Sequence, residues 1–100
     1  MKKLDFYTRR NDDGEQRAVL VHGYTDNKFY YYYKYKTRWY AINPATGLAI
    51  PGIFHTRKDA QNAAYKPDIL ERIEKYIDSR SGKQAIATFS NLKLEAMTAC

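Results

Sequence analysis

A chain of 100 residues makes one domain with a modest core, since a protein this short keeps much of its surface wet. Seventeen basic against 11 acidic residues leave a net charge of +6, which favours an acidic partner, either nucleic acid or an acidic protein face, and counts against mimicry of DNA. The single cysteine, Cys100, excludes an intrachain disulfide and a thiolate metal cluster and suits a reducing compartment.

The N-terminal segment alternates Leu4, Phe6 and Thr8 against Asp5, Tyr7 and Arg9 and runs into Asn-Asp-Asp-Gly at 11–14. Those four residues favour turns through side-chain bonding and a free left-handed conformation, so a hairpin is predicted with its second arm over 16–24. Gly23 is expected to mark a bulge. No apolar run reaches the 18 or so residues that cross a bilayer, and the MKKLDF start lacks the apolar middle of a signal peptide. A cytoplasmic protein with no membrane partner is expected.

After a polar break at 25–28 comes the stretch KFYYYYKYKTRWYAI, residues 28–42, with six tyrosines, one phenylalanine and the only tryptophan among four basic residues. Read with a period of two, Phe29, Tyr31, Tyr33 and Tyr35 share one side, and Tyr30, Tyr32, Lys34 and Lys36 the other. Both faces then carry large rings, more than one small core can hide, and a buried tyrosine also needs a partner for its hydroxyl. The surplus points to a binding surface rather than an active site. The stretch is long for one strand; it either folds back near 35–38, where no glycine, asparagine or proline marks a turn, or runs as one bent strand. A firmer turn is Asn-Pro-Ala-Thr-Gly at 43–47, with a return arm over 48–50 that ends at Pro51-Gly52.

The second half reads as helical. Thr56 with Asp59 makes a shortened capping box, and Ala60, Ala63 and Ala64 give a small-residue face for close packing on a sheet. That helix should stop near Tyr65, with Pro67 opening another. There Ile69, Leu70, Ile73, Tyr76 and Ile77 form one apolar stripe, and Asp68 precedes Arg72, and Glu71 precedes Lys75, by four residues on the wet face. Ser-Gly-Lys-Gln at 81–84 resembles a further capping box before a third helix over 84–98, with a strand over 85–89 as the rival. The expected fold is α+β: an N-terminal antiparallel sheet of three to five strands, mainly within 1–54, followed by two or three helices within 56–98, in a single domain.

Chemistry is sparse. His22 and His55 have no serine or cysteine beside them in a nucleophile motif. Asp12 and Asp13 read as turn formers, and no phosphate loop, dinucleotide fingerprint or metal-protease helix is present. No enzyme, catalytic residue, cofactor or metal site is expected. Tyr30, Tyr32, Lys34, Lys36, Arg38, Trp39 and Tyr40 are the candidate partner-binding residues, because tyrosine, tryptophan and arginine dominate binding hot spots. The same interleaving of rings and cations suits a stacking platform for nucleic acid. A lone tryptophan in a small domain is more often a core residue. The bonds before Pro44, Pro51 and Pro67 could each be cis, and Pro67, lying between two helices, is the candidate isomerisable proline.

The segment WYAINPATGLAIPGIFHTRKDAQNAA, residues 39–64, resembles the sheet-hairpin-then-helix pattern of small phage and integrase-arm domains. That resemblance implies DNA binding through the sheet by Tyr30, Tyr32, Lys34 and Lys36. More broadly, VHGYTDNKFYYYYKYKTRWY at 21–40, with the small size and basic charge, resembles the temperate-phage accessory proteins of the lambdoid anti-RecBCD type. This implies a non-enzymatic cytoplasmic protein that binds a host DNA-repair nuclease and redirects it. Direct DNA binding by a tyrosine- and lysine-rich sheet is the alternative.

Overall fold

A computed structural model describes residues 1–26 and 29–98, the side chain of Asp12 excepted. Asn27, Lys28 and Cys100, named above, lie outside the described residues, as does any role for the Asp12 carboxylate.

Four antiparallel strands form a sheet in simple sequence order: β1 (Lys2–Asp12), β2 (Glu15–Thr25), β3 (Tyr31–Tyr35) and β4 (Arg38–Ile42). Three helices follow, α1 (Arg57–Ala64), α2 (Pro67–Asp78) and α3 (Arg80–Thr98). The protein is therefore α+β, with the sheet entirely N-terminal to the helices. Residues 84–98 are helical throughout, and the peptide bonds before Pro44, Pro51 and Pro67 are trans.

β1 and β2 form a long ribbon closed by Asp13 and Gly14, whose φ values of 53° and 82° are both positive. A two-residue turn of this kind matches the right-handed twist of its strands, and Asp-Gly is among the few pairs that adopt it cheaply. The pairing continues unbroken through Leu4 opposite Gly23, so Gly23 marks no bulge. It is required by proximity: a Cβ there would stand 2.1 Å from the Tyr32 carbonyl oxygen and 2.8 Å from the Phe6 ring.

The aromatic stretch folds back after Tyr35 through Lys36 and Thr37, pairing Tyr35 with Arg38. Lys36 takes φ 58°, the left-handed region that an L side chain enters at a cost of about 1–2 kcal/mol. No residue type announced this turn because the one that makes it is a poor turn former. Closing the hairpin puts Tyr31, Tyr33, Tyr35, Arg38, Tyr40 and Ile42 on one face and Tyr32, Lys34, Trp39 and Ala41 on the other.

Each face carries its own core. On the helix side Tyr30, Tyr32, Ala41, Ile50, Ala60 and Ala64 are buried together, with Ile69, Leu70 and Ile73 of α2 against them. Alanines on α1 let it lie close to β3 and β4, as small residues permit. On the opposite face Phe6, Tyr33 and Ile42 form a second cluster with Leu4, Val21, Tyr31 and Tyr40 around it.

Thr56 caps α1 by accepting from the Asp59 amide at 3.1 Å, and Pro67 stands in the first turn of α2, where its missing N–H is not needed. The third helix starts earlier than a Ser81 cap would allow, because Ser79 Oγ accepts from the Gly82 amide at 3.0 Å. Gly82 instead serves the α2–α3 junction, where a Cβ would collide with the Tyr76 carbonyl.

After β4, Asn43 Oδ1 accepts from the amides of Ala45 and Thr46, and Gly47 takes φ 72°. The return arm is reduced to a bridge between Ile42 and Ala49 and an Ile50 amide donating to Ala41. Only residues 23–25 of β2 pair with β3, which leaves the rest of the β1–β2 ribbon free of pairing to β3. That free part returns to the turn after β4, where the Arg9 amide donates to the Gly47 carbonyl at 3.2 Å.

Candidate binding site at the hairpin end of the sheet

The seven candidate side chains do not share one surface. Tyr30 and Tyr32 are 1% and 0% exposed, so both are core residues and neither can anchor a partner. Their hydroxyls explain how polar rings are tolerated there: Tyr30 donates to the Ala64 carbonyl and Tyr32 to Asp26 Oδ2, each at 2.9 Å. Tyr65 also donates to Asp26 Oδ2, tying α1's end to the strand. Burial is the main cause, followed by Asp26, that pushes the Tyr30 and Tyr65 hydroxyls up to about 12 and raises Tyr32 as well. A sheet binding through Tyr30 and Tyr32 is thereby excluded, because α1 already occupies that face.

Trp39 and Lys34 lie on the same helix-side face. Trp39 is half-buried, its ring 6.1 Å from that of Tyr24 and its amide donating to the Phe54 carbonyl at 2.8 Å. Arg57 covers Tyr24 from α1 at 4.8 Å. Trp39 thus closes the margin of the larger core.

The remaining candidates gather elsewhere. Lys36 sits at the hairpin tip, and Arg38 and Tyr40 face away from the helices. Beside them the sheet carries a cleft of about 490 Å³, bounded by the end of β1, by Tyr33, Tyr35 and Tyr40, and by the turn at 47–49. A second hollow of about 380 Å³, formed by residues 35–38 and Tyr40, shares Tyr35 and Tyr40 with it. Tyr33 and Tyr40 stack at 5.2 Å with 23° between their planes. Arg10 lies 4.6 Å over the Tyr35 ring, and Lys36 5.4 Å from it. Tyr35 is 41% exposed, and burial raises the Tyr33 hydroxyl above the ordinary tyrosine range. None of the described residues lining either hollow is acidic.

Arg10, Tyr33 and Tyr35 were missed as site residues. The period of two did place Tyr33 and Tyr35 together. Only the return of the β1–β2 ribbon across the sheet brings Arg10, 25 positions earlier than Tyr35 in the chain, onto the same ring.

No family model, curated protein or solved structure matches this chain. Its reading therefore rests on its own residues. His22 Nδ1 and Asp5 Oδ1 lie 2.6 Å apart on the open part of the β1–β2 ribbon with both side chains largely exposed, and His55 is exposed before α1. Among the described residues no group of three His, Cys, Asp or Glu side chains could hold a metal ion. No helix among them is long and apolar enough to cross a membrane.

Proposed function

We propose that this protein acts by binding rather than by catalysis, as a phage-type modulator that docks on a host DNA-processing enzyme of the RecBCD kind through the hairpin end of its sheet. One observation carries the reading: Tyr35 and Tyr40 with Arg10, Lys36 and Arg38 surround adjoining hollows lined by no described acidic residue. A rigid ring beside a fixed guanidinium is the composition of an interface hot spot, since it buries area at little entropic cost. The net charge of +6 would speed encounter with an acidic partner.

The test is to add the protein to a purified RecBCD-type helicase-nuclease and follow degradation of linear duplex DNA. Wild-type protein should alter the rate, and Arg38→Glu, at an exposed position, should abolish the effect while melting like wild type. An unaltered rate at saturating protein, or full activity of Arg38→Glu, rules the reading out.

A further inference from the structure

The two hollows that share Tyr35 and Tyr40 bring rings and cations onto one surface. Their walls set the flat rings of Tyr35 and Tyr40 among four cations, with Ile42, Leu48 and Ala49 as an aliphatic wall on the larger cleft. Tyr33 stacks on Tyr40 from the neighbouring strand, so Tyr40 is held in one orientation without a ligand. Tyr35 is held by Arg10. Lys36 projects beside it from a turn that places a lysine where glycine would be cheaper, and a non-glycine residue kept in the left-handed region is a feature that clusters at ligand sites.

Resting on the reading that this end of the sheet is the binding surface, we infer that the cleft takes a single strand of nucleic acid, with bases against Tyr35 and Tyr40 and phosphates against Arg10, Lys36 and Arg38. Unpaired bases expose π-faces that stack on aromatic side chains whatever their identity, whereas a duplex hides those faces within its own stack. Phosphates need cations spaced along the rim, and the absence of acidic residues from the described lining removes the repulsion that would oppose them. This strand-binding face is the reverse of the one that carries Tyr32 and Lys34.

Fluorescence anisotropy with a labelled oligothymidylate and a duplex of equal length, over a salt series, tests the assignment. Wild-type protein should bind the single strand at least tenfold more tightly than the duplex. Tyr35→Ser, at an exposed position, should weaken binding at least fivefold with unchanged circular dichroism, and Lys36→Gln should lower the slope of log affinity against log salt. Arg72→Gln, on α2, should match wild type. Absence of single-strand binding at low salt overturns the inference. So does tighter duplex binding, or equal affinity for polyglutamate of the same charge. Because the nuclease assay with Arg38→Glu uses a different readout, failure of strand binding leaves the docking reading standing, and failure of both removes the surface.

Discussion

The Arg9 guanidinium donates to the Ala85 carbonyl at 2.7 Å across 76 positions of the chain. Its backbone amide meanwhile donates to Gly47, and its charge lies 5.7 Å over the Phe89 ring. One residue of β1 thus joins the first strand, the turn after β4 and the last helix. Burial lowers the pKa of Arg9, and its Nε is buried with no hydrogen-bond partner, so the junction carries a desolvation cost of its own.

Arg9→Met keeps most of the apolar stem and deletes the charge-assisted bond. A bond of that kind contributes about 1.5–3 kcal/mol, and the expected net loss is about 1–3 kcal/mol by urea denaturation. A variant as stable as wild type would show that the bond only offsets the cost of burying the guanidinium.

Glycine positions separate two physical causes. Gly23→Ala should be severe, because its Cβ would meet the Tyr32 carbonyl at 2.1 Å and β2 would have to part from β3. Gly14→Ala has open space around it and only φ 82° to resist, so the loss there should be about 1 kcal/mol. Thermal melts of the two variants give the ranking; a milder Gly23→Ala would mean the strands yield more easily than their packing implies.

Lys36→Gly should raise stability by up to about 1 kcal/mol, since glycine adopts φ 58° without the Cβ penalty, partly offset by added freedom in the unfolded chain. Its melting temperature should rise. A fall would show that the Lys36 contact with the Tyr35 ring outweighs the backbone term.

High pH should unfold the protein cooperatively. In the unfolded chain tyrosine ionises near 10, whereas Tyr30 and Tyr65 are held up to about 12 and Tyr32 is raised too. Above pH 10 the unfolded state therefore binds fewer protons than the folded one, and stability falls as pH rises. Stability should be flat with respect to these groups below about pH 10 and decline through about pH 12. Tyrosinate absorbance, followed alongside circular dichroism, should show these rings ionising only as the fold is lost. Their titration in the intact fold would show that they are not sequestered.

Tyr32→Ala should cost about 3–5 kcal/mol, as for other large aromatic truncations in a core. Arg38→Ala, at the exposed end of β4, should be within about 0.5 kcal/mol of wild type. Chemical denaturation of the pair shows which ring-bearing positions are architecture and which are surface.

Several elements were legible from local chemistry. Asp13-Gly14, the Asn43-to-Gly47 turn, the Thr56 cap and Pro67 each act on neighbours within a few residues, so their meaning does not depend on the rest of the fold. The hairpin at Lys36 was legible only as one of two alternatives, a fold-back near 35–38 or one bent strand, because its left-handed lysine runs against propensity. Gly23 was misread as a bulge because the atoms that require it, the Tyr32 carbonyl and the Phe6 ring, come from other strands. Of the candidate site, Lys36, Arg38 and Tyr40 stand at the cleft and its tip, while Tyr30 and Tyr32 were drawn inward.

Alternation and composition by themselves determined that the chain pairs a tyrosine-rich sheet with amphipathic helices, and that its rings occupy both faces of that sheet. Which of those rings stay wet was decided by tertiary structure alone. Alternation assigns side chains to two sides but does not say on which side α1 and α2 will settle, nor how far a long ribbon will return over the other. Burial of Tyr30 and Tyr32 beneath the helices and exposure of Tyr35 beside Arg10 are the outcome of that packing.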